Sequence, residues 1–190
     1  MTSIARSCRT VYHSIVQFRD STPSTDEELV MHKTKNDLPE SKRQPIIQLL
    51  GDRLADAIDL QLQSKQAHWN VKGPSFIALH ELFDSVAGDV TDFVDTIAER
   101  IVALGGTADG TLAGVAKRTH LSAYPIEISA GRDHVDALST ALASFGKLAR
   151  EAIDRATELG DADTADLFTG ISREVDKKLW FVEAHLQADK

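Results

Sequence analysis

Apolar residues recur every three or four positions over four long stretches and almost nowhere alternate in the two-residue rhythm of a strand. The first stretch runs from about Arg43 to Val71, where Ile46, Leu49, Leu50, Leu54, Ala57 and Ile58 form a stripe and Pro45 suits a first helical turn. Gly73-Pro74 stops it. The second covers about Ser75 to Leu104, with Phe76, Leu79, Phe83, Val86, Val90, Phe93, Val94, Ile97 and Ile101 on one side, and Gly105-Gly106 closes it. A longer connection, Thr107 to Ile128, leads to a third stretch from about Ser129 to Leu159, carrying Val135, Leu138, Leu142, Phe145, Leu148, Ala152, Ile153 and Ala156. Gly160 ends it, and Asp161 or Asp163 can cap a fourth whose stripe is Leu167, Phe168, Ile171, Val175, Val182 and Leu186. Four helices of about 25 to 30 residues, joined by two short connections and one long one, predict an all-α four-helix bundle.

Composition narrows the picture. The chain has 190 residues, 42% of them hydrophobic, which suits one domain with its own core over residues 32–190. Its single cysteine, Cys8, forms no internal disulfide, so a reducing, cytoplasmic setting is the default. No apolar run of about 18 residues spans a membrane, and no apolar h-region marks export. Residues 1–31 read as an unstructured leader. Arg6, Arg9 and Arg19 with no acid before Asp20 also give it the look of an organelle presequence. Against 21 Lys+Arg stand 29 Asp+Glu, a formal charge of −8, which suits handling cations better than gripping nucleic acid.

The second helix interrupts its own apolar pattern with His80, Asp84, Asp95 and Glu99. Steps of four residues place each pair one turn apart, which is chelating spacing. The eleven residues between Asp84 and Asp95 are close to three whole turns, so both pairs point to nearly the same side. They stand about 16 Å apart along the axis, too far for one metal ion with bonds near 2 Å to bridge. One chain therefore offers two half-sites. A second copy packed antiparallel about a two-fold axis would complete both. His68, twelve residues before His80 at the end of the first helix, adds a further ligand across the Gly73-Pro74 turn. Two imidazoles and three carboxylates suit iron or manganese, with zinc as a competitor, whereas a structural zinc site usually closes with thiolates. His13, His32, His120, His134 and His185 lack partners at chelating spacing and are assigned no role. Trp180 and Phe181 read as core or interface aromatics.

The stretch KQAHWNVKGPSFIALHELFDSVAGDVTDFVDTIAERIVALGGTADGT, Lys65 to Thr111, resembles the Dps family of miniferritins, DNA-binding proteins from starved cells. The family's ferroxidase motif is a His, a second His twelve residues on, an Asp four further, an Asp eleven beyond and a Glu four later; His68, His80, Asp84, Asp95 and Glu99 fill every position. HKTKNDLPE at the start and DADTADLFTGISREVDKKLWFVEAHLQ at the end extend the resemblance over about residues 32–187. It implies a ferritin-like bundle assembling as a hollow dodecamer, with a dinuclear iron centre at each two-fold interface. His68, His80 and Asp84 would come from one subunit and Asp95 and Glu99 from its partner. It further implies a ferroxidase that oxidises Fe(II), preferring hydrogen peroxide to dioxygen, and stores the ferric product, consuming both Fenton reagents. Trp69 stands where the family carries an aromatic that accepts an oxidising equivalent, with interface packing as the alternative. Glu81 matches a cavity-facing position that helps nucleate mineral, or is an ordinary solvated glutamate.

DNA binding does not follow from the family name. Residues 1–43 hold seven basic and six acidic side chains, and the rest of the chain holds 14 and 23, a net of −9. Relatives that condense DNA carry mobile Lys/Arg-rich tails; here Arg6, Arg9, Lys33 and Lys35 are diluted, and only multiplication over twelve copies would make them count. The sequence weighs against direct DNA binding. A nucleoid-associated, DNA-compacting protein with secondary metal binding is the alternative reading.

Overall fold

Two helical hairpins face each other. The computed structural model describes residues 31–187 and has five helices there: α1 (Glu40–Asn70), α2 (Phe76–Ala103), α3 (Leu112–Arg118), α4 (Gly131–Leu159) and α5 (Ala162–Glu183). Helix α1 packs along α2 and α4 along α5, and the hairpins meet through α1 against α4 and α2 against α5. Between them the predicted stripes interlock: Leu50, Leu54, Phe83, Ile97, Leu142, Phe145 and Phe168 are fully buried. Each contributes about 2 kcal/mol of apolar burial. Among the described residues the only β-type pairing is an isolated bridge between Lys72 and Ala130. Of the expected leader, only Met31 lies within the described residues; Arg6, Cys8, Arg9 and His13 lie outside them.

Helix ends differ from the sequence reading by a few residues. Helix α1 starts at Glu40 rather than Arg43, because the Pro39 carbonyl already accepts the amides of Lys42 and Arg43. Gly105 carries φ +89°, and a β-carbon there would meet the His32 carbonyl oxygen at 2.6 Å, so the chain entering α1 is laid directly over the end of α2. Asp161, not Asp163, caps α5: its carboxylate accepts the Thr164 amide at 3.1 Å and the Arg100 guanidinium at 2.7 Å. Burial alone pushes the Asp161 carboxyl up, but the bonds from Thr164 and Arg100 outweigh that and hold it below the ordinary value.

The long connection is more ordered than its sequence suggested. Helix α3, which the apolar pattern did not reveal, is capped by Thr111, whose hydroxyl accepts the Gly114 amide at 3.2 Å. A polar seam on one face of α1 fastens the segment after it. Asp56 is fully buried, takes the Arg53 Nε–H at 2.8 Å and accepts the His120 amide at 2.6 Å. One turn on, Asp59 accepts the Thr119 hydroxyl at 2.7 Å, and Gln63 donates to the Ser122 carbonyl at 3.0 Å. His120 is thus a structural partner of Arg53 and Asp56.

Asp56→Ala strands the buried Arg53 charge and is expected to cost about 3 kcal/mol in chemical denaturation. Asp161→Asn tests the opposite hairpin. Because the folded-state pKa of Asp161 is depressed, its charge stabilises the fold above the unfolded carboxylate value, and the contribution is lost as pH falls through the folded value. The variant is therefore less stable than wild type near neutrality, and thermal melts of the two should converge in acid.

Candidate metal centre

His68 lies in the last turn of α1 and His80 in the second turn of α2, across a turn in which Gly73 adopts φ +115°. The turn stacks the two imidazoles, ring centroids 3.7 Å apart and planes 22° from parallel. Each ring is held by the other's backbone. The His68 Nδ1–H donates to the His80 carbonyl at 2.7 Å, and the His80 Nδ1–H donates to the His68 carbonyl at 2.8 Å. A carbonyl only accepts, so both Nδ1 atoms carry hydrogen, and in its neutral form each ring keeps its lone pair on Nε2. The His68 carbonyl is one of the four that a helix C-terminus leaves without an intrahelical donor, so the bond also finishes α1. Phe76, half exposed, lies 5.1 Å from the His80 ring.

Asp84, one turn beyond His80, is exposed and accepts the Lys65 ammonium at 2.6 Å. That hydrogen bond, with the Lys65 charge and the two imidazoles nearby, holds its carboxyl below the ordinary value. Lys65 also sits 5.9 Å over the Trp69 ring, which is 64% exposed. Sequence reasoning missed Lys65; its position three residues before His68, on the face that meets Asp84, was the available signal. Asp95 and Glu99 are exposed and make no hydrogen bond or ion pair among the described residues. Glu81 is likewise exposed. The fold brings together His68, His80 and the nearby Asp84, and leaves Asp95 and Glu99 farther along the same helix. Among the described residues no three ligand-type groups converge on one point within the chain.

Comparison with known proteins assigns the chain to a family. Residues 47–190 match the ferritin-like domain family. The DNA protection during starvation protein of Agrobacterium fabrum is 52% identical over 156 residues, 82% of this chain and 96% of that one. The chain is a Dps miniferritin. DpsC from Streptomyces coelicolor superposes with a TM-score of 0.81 at 30% identity, over 87% of this chain and 98% of that one. Dps from Microbacterium arborescens, solved in a high iron form, gives 0.74 at 36% identity, over 79% and 97%. No helix of the described miniferritin residues is long and apolar enough to cross a membrane.

Lys65 competes with any cation for Asp84 in this miniferritin. Lys65→Met is expected to tighten Co(II) binding by about two- to fivefold, as an exposed ion pair is removed. Visible absorption of the cobalt complex reads it, and unchanged or weaker binding would show that Asp84 is not a ligand.

Proposed function

We propose that this miniferritin is a ferroxidase that takes Fe(II) as substrate, oxidises it with hydrogen peroxide in preference to dioxygen, and stores the ferric product inside a hollow dodecamer. The observation that carries this reading is the reciprocal His68–His80 clasp. It leaves two Nε2 lone pairs on adjacent, oriented rings beside Asp84. Mixed imidazole and carboxylate ligands suit iron, and zinc would compete for them. Asp95 and Glu99, about 16 Å along α2 from the first pair, are read as the ligands given to a partner subunit across a two-fold axis. Exposed apolar side chains around this face, Leu62, Trp69, Phe76 and Ile77, support burial by a second copy.

Two Fe(II) ions held together supply two electrons at once. Taking those two electrons and two protons from solvent, peroxide would break its O–O bond to give two waters and two Fe(III), with no hydroxyl radical formed. Trp69 would intercept an oxidising equivalent that escapes, and Glu81 would offer the product an acidic surface. The excess of acids favours drawing Fe(II) in over holding DNA outside, and the proposed setting is the cytoplasm.

A purified shell should accelerate peroxide-dependent Fe(II) oxidation over buffer in stopped-flow absorbance. The double change His68→Gly and His80→Gly should abolish the fast phase while assembly, followed by light scattering, persists. Mixing addresses the shared site. Subunits carrying His68→Gly, His80→Gly and Asp84→Ala, reassembled with subunits carrying Asp95→Ala and Glu99→Ala, should recover activity that neither has alone. Each mixed dimer regains one intact centre. Absence of recovery would place all five ligands in one chain or refute the site.

A further inference from the structure

The connection between α3 and α4 carries a hydrogen-bonded pair of side chains outside the iron site. The Tyr124 phenol oxygen lies 2.7 Å from His134 Nδ1, with ring centroids 6.0 Å apart and planes 19° from parallel. His134, in the first turn of α4, is 1% exposed. Its Nε2 is fully buried and makes no hydrogen bond of ordinary geometry among the described residues, and the backbone acceptor that acts on the ring is the Asn70 carbonyl at the end of α1. A carbonyl attracts only an N–H, so in the neutral ring the hydrogen sits on Nε2 and the Nδ1 lone pair accepts the Tyr124 hydroxyl. Burial keeps the ring neutral, holding His134 below the ordinary value against the pull of Asn70 and Asp133. Burial also pushes the Tyr124 phenol up, so a free phenolate is disfavoured. An electron leaves this phenol at least cost together with its proton, and His134 stands in place to take that proton.

We propose that Tyr124 and His134 form a proton-coupled trap for an oxidising equivalent that has entered Trp69. Asn70, whose carbonyl meets the His134 ring, follows Trp69 directly in the chain. The oxidant is of the hydroxyl-radical class. A lone Fe(II) gives peroxide one electron rather than two, leaving hydroxide and a hydroxyl radical, which takes one electron from the exposed Trp69 indole and becomes a second hydroxide. The indole radical cation then takes one electron from Tyr124 while the phenolic proton passes to His134 Nδ1. Neutral indole, a neutral tyrosyl radical and an imidazolium result, so charge and protons balance. Tyr124 is half-buried and lines a cavity of about 390 Å³ with Gln63, Ser122 and Asp136, through which a thiolate can return the electron as the proton comes back from His134. The proposal rests on the iron and peroxide reading only for the origin of the oxidant.

Pulse radiolysis with azide radicals, which oxidise indoles by one electron, tests the pair in the assembled, iron-free protein. Every sample carries Tyr12→Phe, so that Tyr124 is the one tyrosine left. The indolyl absorption should decay as the tyrosyl absorption grows, at a rate independent of protein concentration and slower in heavy water. Trp69→Phe should remove most of the tyrosyl yield although Trp180 remains, and Tyr124→Phe should remove all of it. His134→Asn keeps an acceptor oxygen near the Nδ1 position but cannot take the proton, and it should slow the transfer at least about tenfold. Circular dichroism and light scattering confirm that each variant is folded and assembled. The isotope effect needs no change at either residue of the pair, so the test holds should His134→Asn fail to fold. No tyrosyl radical, an equal yield without Trp69, no isotope effect, or an unchanged rate in folded His134→Asn would overturn the proposal. No iron enters these measurements, so the trap and the ferroxidase stand or fall separately.

Discussion

Two hydrogen bonds between a side chain and a backbone, exchanged across one turn, organise everything near the candidate metal centre. His68 and His80 each donate from Nδ1 to the other's carbonyl, at 2.7 and 2.8 Å. The exchange closes the end of α1, fixes the register of α2 against it, stacks the rings and sets the tautomer of both. A bond that merely joined the helices could be made by any donor. These bonds are made by the inner nitrogens of two imidazoles, so joining the helices and leaving both outer nitrogens ready for a cation are one event. Gly73 makes this possible, because a turn with φ +115° strains any residue with a β-carbon.

The acidic end of α2 meets the other hairpin through Arg100. Arg100 follows Glu99 directly but, as its neighbour on a helix, does not face it. Instead its guanidinium is drawn to the N-terminus of α5, where Asp161 and Thr164 accept from it at 2.7 and 3.0 Å. The helix cap that starts α5 therefore also engages that arginine charge. At the histidine end Lys65 occupies Asp84. One candidate half-site is a pair of carboxylates without a partner among the described residues; the other is two nitrogens and a carboxylate already engaged.

Helices and the candidate ligand set were legible because both are periodic: the apolar stripes repeat at helical spacing, and the candidate ligands of α2 fall in pairs one turn apart. Features without a period were hidden. Helix α3 has only seven residues and begins with a threonine cap rather than an apolar stripe, so nothing in a hydrophobic pattern marks it. The seam of Asp56, Asp59 and Gln63 has helical spacing, but its partners, His120 and Ser122, lie about sixty residues away in a loop. His120 looked like a residue without a role because its partners follow from tertiary structure alone. The histidine clasp was hidden for a related reason. Side-chain spacing says which rings can meet, whereas the tautomer depends on backbone carbonyls that every residue has.

On the proposed reading, the unequal halves couple iron chemistry to assembly. A rigid helix separates the two pairs by about 16 Å, so a lone chain can close neither site. Its histidine end offers a cation two nitrogens but must displace the Lys65 ammonium to gain a carboxylate. A partner's Asp95 and Glu99 would bring two further negative charges to that spot, enough to favour a dication over the lysine. Fe(II) would then be held where two subunits meet and poorly on a free subunit. That restriction matters for a reaction whose product is insoluble. Oxidation confined to paired subunits takes place next to the enclosed space that receives ferric iron, and isolated chains, which have no such space, are spared from precipitating it.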